Sequence, residues 1–215
     1  TELDRSISFV EFYFGPSVEG SSELHDASEL GPEITRAQID GSLHRFARHS
    51  EKGLFVVAVD LHLEGQIARG DEAIDFPGVV RLAVGTRPDC CPDEVLQILA
   101  SYTDRVDVQL ELGVQSLQND VLSFFDRGHD AECAVEALER AVAISRSLKA
   151  KGAAKELDVS AHMILGAPME NPESIVESAK TLNRIGVNGV KLHHLHILKK
   201  TKLERRFKAG DFSLL

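Results

Sequence analysis

The chain has 215 residues, 43% of them apolar, and 24 Lys and Arg against 34 Asp and Glu give a net charge of −10. That size suits one α/β domain spanning residues 1–215, and the acidic balance argues against tight nucleic-acid binding, because phosphate contacts need clustered cations. No run approaches about 18 uninterrupted apolar residues, so no membrane span is expected, and three cysteines, Cys90 and Cys91 adjacent and Cys133 alone, make no disulfide framework and point to a reducing cytoplasm.

The first residues, Thr1-Glu2-Leu3-Asp4, are not a signal peptide and lack an initiator Met, as in an internal fragment or a processed chain. Residues 6–14 read as a first strand. Residues 15–32, rich in Gly, Ser, Glu and Asp, read as a long loop. Ile34, Ile39, Leu43 and Phe46 lie roughly on one helical face, which predicts a helix over residues 34–46. Residues 54–63 (LFVVAVDLHL) are apolar at nearly every position, as in a strand buried on both faces. Residues 65–75 carry a weak helical signal, and residues 79–84 form another buried strand.

Pro92 can open a helix at its first position, with Val95, Ile98, Leu99 and Tyr102 inward. The stretch VDVQLELGVQSLQNDVLSFFDRGHD then organises the rest of the chain. Val106, Val108, Leu110 and Leu112 alternate with Asp107, Gln109 and Glu111 as a strand, which Gly113 is expected to break. The helix that follows reads as two pieces, the second capped by Asp130 and running from Ala131 to about Leu148. A fifth strand covers residues 157–165. Asn171-Pro172 starts a helix with Ile175, Ala179, Leu182 and Ile185 inward. Residues 189–198 form a sixth strand, and Lys199 to Lys208 carry a basic cluster expected on the solvated face of a last helix.

Strands alternating with helices predict a parallel sheet with right-handed crossovers. A doubly wound open sheet and a partial (β/α) barrel both satisfy the pattern. Polar residues gather at the strand ends: Asp60 and His62, then Thr86, Arg87 and Asp89, then Gln115 and Ser116, His162, and His193, His194 and His196. In a barrel these ends share one rim. Each has a plain structural reading as well. Arg87 and Asp89 can pair with each other and cap the next helix. Alternation puts His194 and His196 on one face and His193 on the other, and a strand histidine is commonly a hydrogen-bonded core residue.

Four blocks carry a resemblance: Gly85-Thr86-Arg87-Pro88-Asp89-Cys90, Leu110-Glu111-Leu112-Gly113-Val114-Gln115-Ser116, Arg127-Gly128-His129, and His162-Met163-Ile164-Leu165-Gly166-Ala167-Pro168. In this order and spacing the chain resembles the radical S-adenosylmethionine (radical SAM) superfamily, in its bacterial elongator-type branch, over residues 78–212. Lys191-Leu192-His193 and Leu195-His196-Ile197 match the same branch. The resemblance implies a partial (β/α)6 barrel of parallel strands. It implies that Gln115 and Ser116 meet the cofactor, with Gln115 on the ribose of S-adenosylmethionine. Arg127 would pair with its carboxylate, His162 would stand where relatives often carry an acidic ribose ligand, and Gly166 would let backbone approach the adenine. It also implies a chain that continues past residue 215.

Members of that superfamily hold a [4Fe–4S] cluster on three cysteines in or near the first βα loop, since thiolates are soft ligands that tolerate both redox states. The corresponding segment, Ile7-Ser8-Phe9-Val10-Glu11, has no cysteine, and Cys90, Cys91 and Cys133 lie elsewhere. The first segment is thus atypical. The expectation is a barrel with a remnant S-adenosylmethionine pocket that does not cleave its cofactor reductively; catalytic residues and substrate stay unassigned. Two other readings are a non-catalytic barrel scaffold and a metal-dependent hydrolase. The hydrolase would use Asp60, His62, His162, His194 and His196, whose Asp60-x-His62 and His194-x-His196 spacings put each pair on one strand face.

Overall fold

The parallel sheet forms around strand β6, Asp107–Gln115, in which buried and half-buried residues alternate without a break. Val108, Leu110, Leu112 and Val114 are fully buried, and Asp107, Gln109, Glu111, Gly113 and Gln115 face the other way. Period-two alternation in an interior strand means two different environments: an apolar face under helices and a polar inner face. The computed structural model describes residues 79–214 in full, together with Ile74, Asp75 and the backbone of four earlier strands. The predicted loop at 15–32 and residues 65–73 of the helix predicted at 65–75 lie outside the described residues.

The strands are β1 (Phe9–Phe12), β2 (Ile34–Thr35), β3 (Arg45–Ser50), β4 (Gly53–Val59), β5 (Val79–Thr86), β6, β7 (Leu157–Leu165) and β8 (Gly189–His194). They form one sheet in the order β1-β8-β7-β6-β5-β4-β3-β2. Six of them, β1 and β4 to β8, run parallel and match the six strands read from the sequence. Two features differ. The first strand lies beside the last, and two antiparallel strands extend the far edge. Residues 34–35 and 45–46, expected in a helix, belong to these added strands. There Phe46 pairs with Val57 of the apolar β4, and that cross-strand partner outweighs an irregular helical pattern.

The helices are α1 (Asp93–Ser101), α2 (Asn119–Phe124), α3 (Ala131–Ala150), α4 (Pro172–Ile185) and α5 (Lys202–Lys208). Each longer helix begins where the sequence places a cap. Asp130 accepts from the amide of Cys133 at 2.8 Å and starts α3. Asn171 and Ser174 form a reciprocal capping box at α4, with Pro172 at its first position. Pro92 caps α1 from one residue outside it, and no side chain takes that role, so the expected Arg87–Asp89 cap is not made. In α4 the inward residues are Ser178, Leu182 and Ile185; Ala179, expected inward, is exposed.

The core lies between the apolar faces of β5 to β8 and helices α1, α3 and α4. Ala134, Ala137 and Ala141 are completely buried on α3, and their small side chains bring that helix close to β6 and β7. Each fully buried Leu of this layer contributes about 1.5–3 kcal/mol relative to exposure. The sheet is thereby a rigid platform that holds the polar ends of β6, β7 and β8 in register.

Two strand ends differ from the sequence pattern. Gly113 does not break β6, which runs on to Gln115. β8 stops at His194, not at residue 198, because its ladder partner β7 ends at Leu165 and turns at Gly166.

Candidate functional site

A cleft of about 560 Å³ opens at the carboxyl ends of β6, β7 and β8. Gln115, Arg127, His162, Ile164, His193 and His196 are among its lining residues. The size is that of a small-molecule site, and the position is where parallel sheets place ligands.

Gln115 enters the cleft through a β-bulge. Leu112 pairs with Ala161 and Gln115 with Met163, so β6 carries one extra residue there. Gln115 itself has φ 68°, a left-handed conformation that costs a non-glycine residue energy. Gly113 makes this possible: a Cβ there would stand 3.0 Å from Gln115 Nε2 and 3.6 Å from Arg127 Nη2.

Three of the sequence blocks are one physical assembly. Arg127 Nη2 donates to the carbonyl oxygen of Gly113 at 3.0 Å. His129 is buried, with Nε2 3.2 Å from the carbonyl oxygen of Val114 and Nδ1 3.6 Å from Asp89 Oδ1. Asp89 is gripped by Arg87 through two hydrogen bonds of 3.0 and 2.6 Å. Gly128 passes beneath that pair, where a Cβ would meet Asp89 Oδ2 at 3.2 Å. The Arg127 guanidinium is therefore fixed in position. Its Nε is buried without a hydrogen-bond partner. Burial, and then the nearby Arg87, lower its pKa.

Behind the cleft the inner face of the sheet is polar. Register sets Glu111 beside Ser160 and His162 beside Lys191. Glu111 Oε1 accepts from Lys191 Nζ at 2.5 Å and from Gln109 Nε2 at 2.9 Å. Its Oε2 lies 3.1 Å from His162 Nε2, off the line of a well-directed hydrogen bond. Burial works to raise the Glu111 pKa, but His162 and Lys191 together outweigh it and hold the carboxyl at about 2.

Of the residues proposed from sequence, Gln115, Arg127 and His162 come together in the cleft. Ser116 and Gly166 do not line it. Ser116 is buried in the turn after β6, where its Oγ accepts from the amide of Gln118 at 3.2 Å. Gly166 has φ 95°, and its amide donates to Glu170 Oε2 at 2.7 Å. The amide of Ala167 donates to the same oxygen at 3.0 Å, so Glu170 shapes the Gly-Ala-Pro turn.

His193, His194 and His196 all line the cleft, contrary to the alternation expected of a longer strand, because β8 has ended by His194. The His194 and His196 rings lie 4.0 Å apart. Asp60 and His62 lie outside the described residues. Among the described residues no group of three His, Cys, Asp or Glu is arranged to hold a metal ion. Cys91 is enclosed in the core, where burial pushes its thiol up to about 11, and Cys90 Sγ sits 3.5 Å from Arg87 Nη2. These thiols do not fit the ligand set of a [4Fe–4S] cluster.

Glu111, Lys191 and Glu170 were not singled out as site residues from sequence. A signal existed for the first two, since a Glu and a Lys inside apolar strands must find partners on burial. For Glu170 there was none, because a Glu just after a Gly-Ala-Pro turn reads as solvated.

No family model matches the chain. Protein YhcC of Escherichia coli strain K12 is 35% identical over 150 residues, which are 68% of this chain and 45% of that protein. The archaeal Methanocaldococcus infernus Elp3 with an N-terminal deletion shares the fold at a TM-score of 0.50 and 28% identity, over 64% of this chain and 30% of that one. Coproporphyrinogen III oxidase (HemN) from Escherichia coli, a radical SAM enzyme, does so at a TM-score of 0.50 and 17% identity, over 68% of this chain and 33% of its own. The chain thus spans less than half the length of the curated relatives it matches. The chain thus has a radical-SAM-like barrel fold and is similar in sequence to YhcC and to Elp3.

Proposed function

We propose that the cleft binds S-adenosylmethionine, and that this chain does so without cleaving it reductively. The observation that carries the reading is the buried, unpartnered Nε of Arg127 beside the strained Gln115. Leaving a charged donor buried and unsatisfied costs on the order of 1–3 kcal/mol or more, so such a group points to a ligand acceptor. A carboxylate suits it, because the guanidinium fork is planar and rigid. The Gln115 amide can both donate to and accept from ribose hydroxyls. Gly166, with its turn held by Glu170, leaves the neighbouring backbone free of a side chain on the adenine side of this reading.

When bound to a reduced [4Fe–4S] cluster in intact members of the superfamily, this cofactor supplies a 5′-deoxyadenosyl radical. The thiols of this chain do not form the cluster's ligand set, so no such step is assigned to it. The reading is that of a cofactor-binding pseudoenzyme or altered form, working in the reducing cytoplasm that its cysteine usage suggests. Tight nucleic-acid binding is not part of it, given the net charge of −10.

The test is calorimetric titration of S-adenosylmethionine into purified, iron-analysed protein. A dissociation constant of about 1 mM, roughly 4 kcal/mol, is expected, and Gln115→Ala or Arg127→Ala should abolish the heat. A stoichiometric iron–sulfur spectrum would overturn the absence of cleavage. No heat at all would leave the barrel as a scaffold of the same fold.

A further inference from the structure

The Gln115 turn is held from behind by a residue that has no part in the cleft itself. The ladder of β6 with β5 ends at Leu112, and on the β7 side the register skips from Leu112 to Gln115. Gly113 and Val114 stand outside both registers, and their carbonyl oxygens need other partners. The segment after α2 supplies them. Arg127 Nη2 donates to the oxygen of Gly113 at 3.0 Å, and His129 Nε2 donates to that of Val114 at 3.2 Å. The Val114 oxygen also accepts from the amide of Ser116, at 2.9 Å, which closes a three-residue turn across Gln115. With φ 68° at its centre, this is the rare and strained form of the γ-turn.

The contact with Val114 fixes the state of the imidazole. A carbonyl oxygen only accepts, so Nε2 carries the hydrogen. The side chain is wholly enclosed, and Nδ1 has no hydrogen-bond partner, with Asp89 Oδ1 3.6 Å off. Burial lowers the His129 pKa and prevails over the Val114 hydrogen bond and Asp89, with Arg127 and Arg87 on its side. The ring is therefore neutral, a single donor aimed at one backbone oxygen. Arg127 lines the cleft, so its hold on Gly113 is shared with whatever binds there. His129 does not line the cleft, and its hydrogen bond serves the turn alone.

We infer that His129 is a positioning residue: its hydrogen bond to the Val114 carbonyl holds the strained turn whose central residue, Gln115, is thereby presented to the cleft. Strain is the reason a second donor is needed. A residue other than glycine stays at positive φ only where its surroundings over-determine it. Here the Ser116 amide and the His129 imidazole share one carbonyl, and the Arg127 guanidinium takes the carbonyl before it. The consequence for binding rests on the proposed function, whereas the hold on the turn does not.

The test is hydrogen exchange at the Ser116 amide, followed by NMR, beside calorimetric titration of S-adenosylmethionine. His129→Met fills the space without a donor, and His129→Gln offers an amide N–H at similar reach. In His129→Met the Ser116 amide should exchange about tenfold faster and binding should weaken about fivefold, with His129→Gln recovering most of both. Glycine adopts positive φ without strain, so a Gln115→Gly background removes the need for the clamp. There, His129→Met should change Ser116 exchange by less than about twofold. Equal Ser116 protection in the wild type and His129→Met overturns the inference. So does an equal loss in the Gln115→Gly background, which would mean that His129 serves the core. A His129→Met chain that fails to fold overturns it if Gln115→Gly does not restore folding, and supports it if Gln115→Gly does. Failure of the wild type to bind S-adenosylmethionine counts against the proposed function alone, and Ser116 exchange then decides the role of His129.

Discussion

Arg127 reaches from the end of α2 to the carbonyl oxygen of Gly113, 3.0 Å away, and the same glycine leaves room for the Gln115 side chain to fold back over it. The two polar cleft residues therefore depend on one missing Cβ. Gly113→Ala should weaken S-adenosylmethionine binding about tenfold, or roughly 1.4 kcal/mol. The Cβ would strike the movable end of Gln115, at 3.0 Å, and not backbone, so the fold should tolerate it. Calorimetry beside a thermal melt checks this: a melting temperature lowered by many degrees would mean that the glycine serves the strand and not the cleft.

Glu111 links the site to acid stability. Its carboxyl is held at about 2, below its ordinary 4.5, so the folded state binds its proton less readily than the unfolded chain does. The resulting stability is present above pH 4.5 and is lost as pH falls from there toward 2. The shift corresponds to about 3 kcal/mol at most. Urea midpoints measured from pH 7 down to pH 3 should fall for the wild type. The fall should be shallower for Glu111→Gln, which starts lower and has no carboxyl to protonate at this position.

Glu170 holds two consecutive backbone amides with one oxygen, at 2.7 and 3.0 Å. Glu170→Ala would leave the amides of Gly166 and Ala167 without their acceptor, at a cost of about 2–3 kcal/mol. Glu170→Gln keeps an amide oxygen and should cost about half as much. Hydrogen exchange at Gly166 and Ala167 is the direct readout. Protection retained in Glu170→Ala would mean that the turn is held by its neighbours instead.

The legible part of the fold was the part governed by local chemistry. Alternation along β6, the Asp130 and Asn171 caps and the buried runs of β5 and β7 each follow from period and capping alone, and each appears where the sequence puts it. What failed to show was set by distant partners. β3 is a strand because β4 supplies a ladder, and β2 because β3 does, and nothing within residues 34–46 announces that. β8 stops at His194 because β7 has already turned away, so His193, His194 and His196 share the cleft against their alternation. In the site, Gln115, Arg127 and His162 could be named because strand ends and a motif point to them. Ser116 could not be separated from Gln115, since the bulge that turns one outward and the other inward is a matter of register with β7. Glu111 was hidden for a related reason: its partners Lys191 and His162 come from two other strands.

The last prediction concerns the wall of the cleft that α5 provides. This helix buries none of its residues fully, so apolar burial holds it only weakly. Its attachment is Arg206, whose guanidinium carbon lies 4.6 Å from the centre of the Phe124 ring and whose Nη1 donates to the Phe124 carbonyl at 3.3 Å. Phe212 packs edge-on against the same ring at 5.0 Å. The Lys202–Asp126 pair, at 2.7 Å, is exposed on both sides and contributes little. A cation over an aromatic face is worth about 0.5–2 kcal/mol, so Arg206→Ala should loosen α5 while the sheet and core stay intact. Arg206→Lys should fall between, because an ammonium keeps the charge but loses the planar stack and the fork. Leu198, Thr201 and Leu203 line the cleft from this side, so a loosened α5 should also weaken cleft binding by a few-fold. Trypsin cleavage among residues 199–208 should become faster in Arg206→Ala, with core melting unchanged to within about 1 kcal/mol. Equal cleavage rates in the variant and the wild type would show that Phe212, not Arg206, anchors the helix, and Phe212→Ala would then give the faster cut.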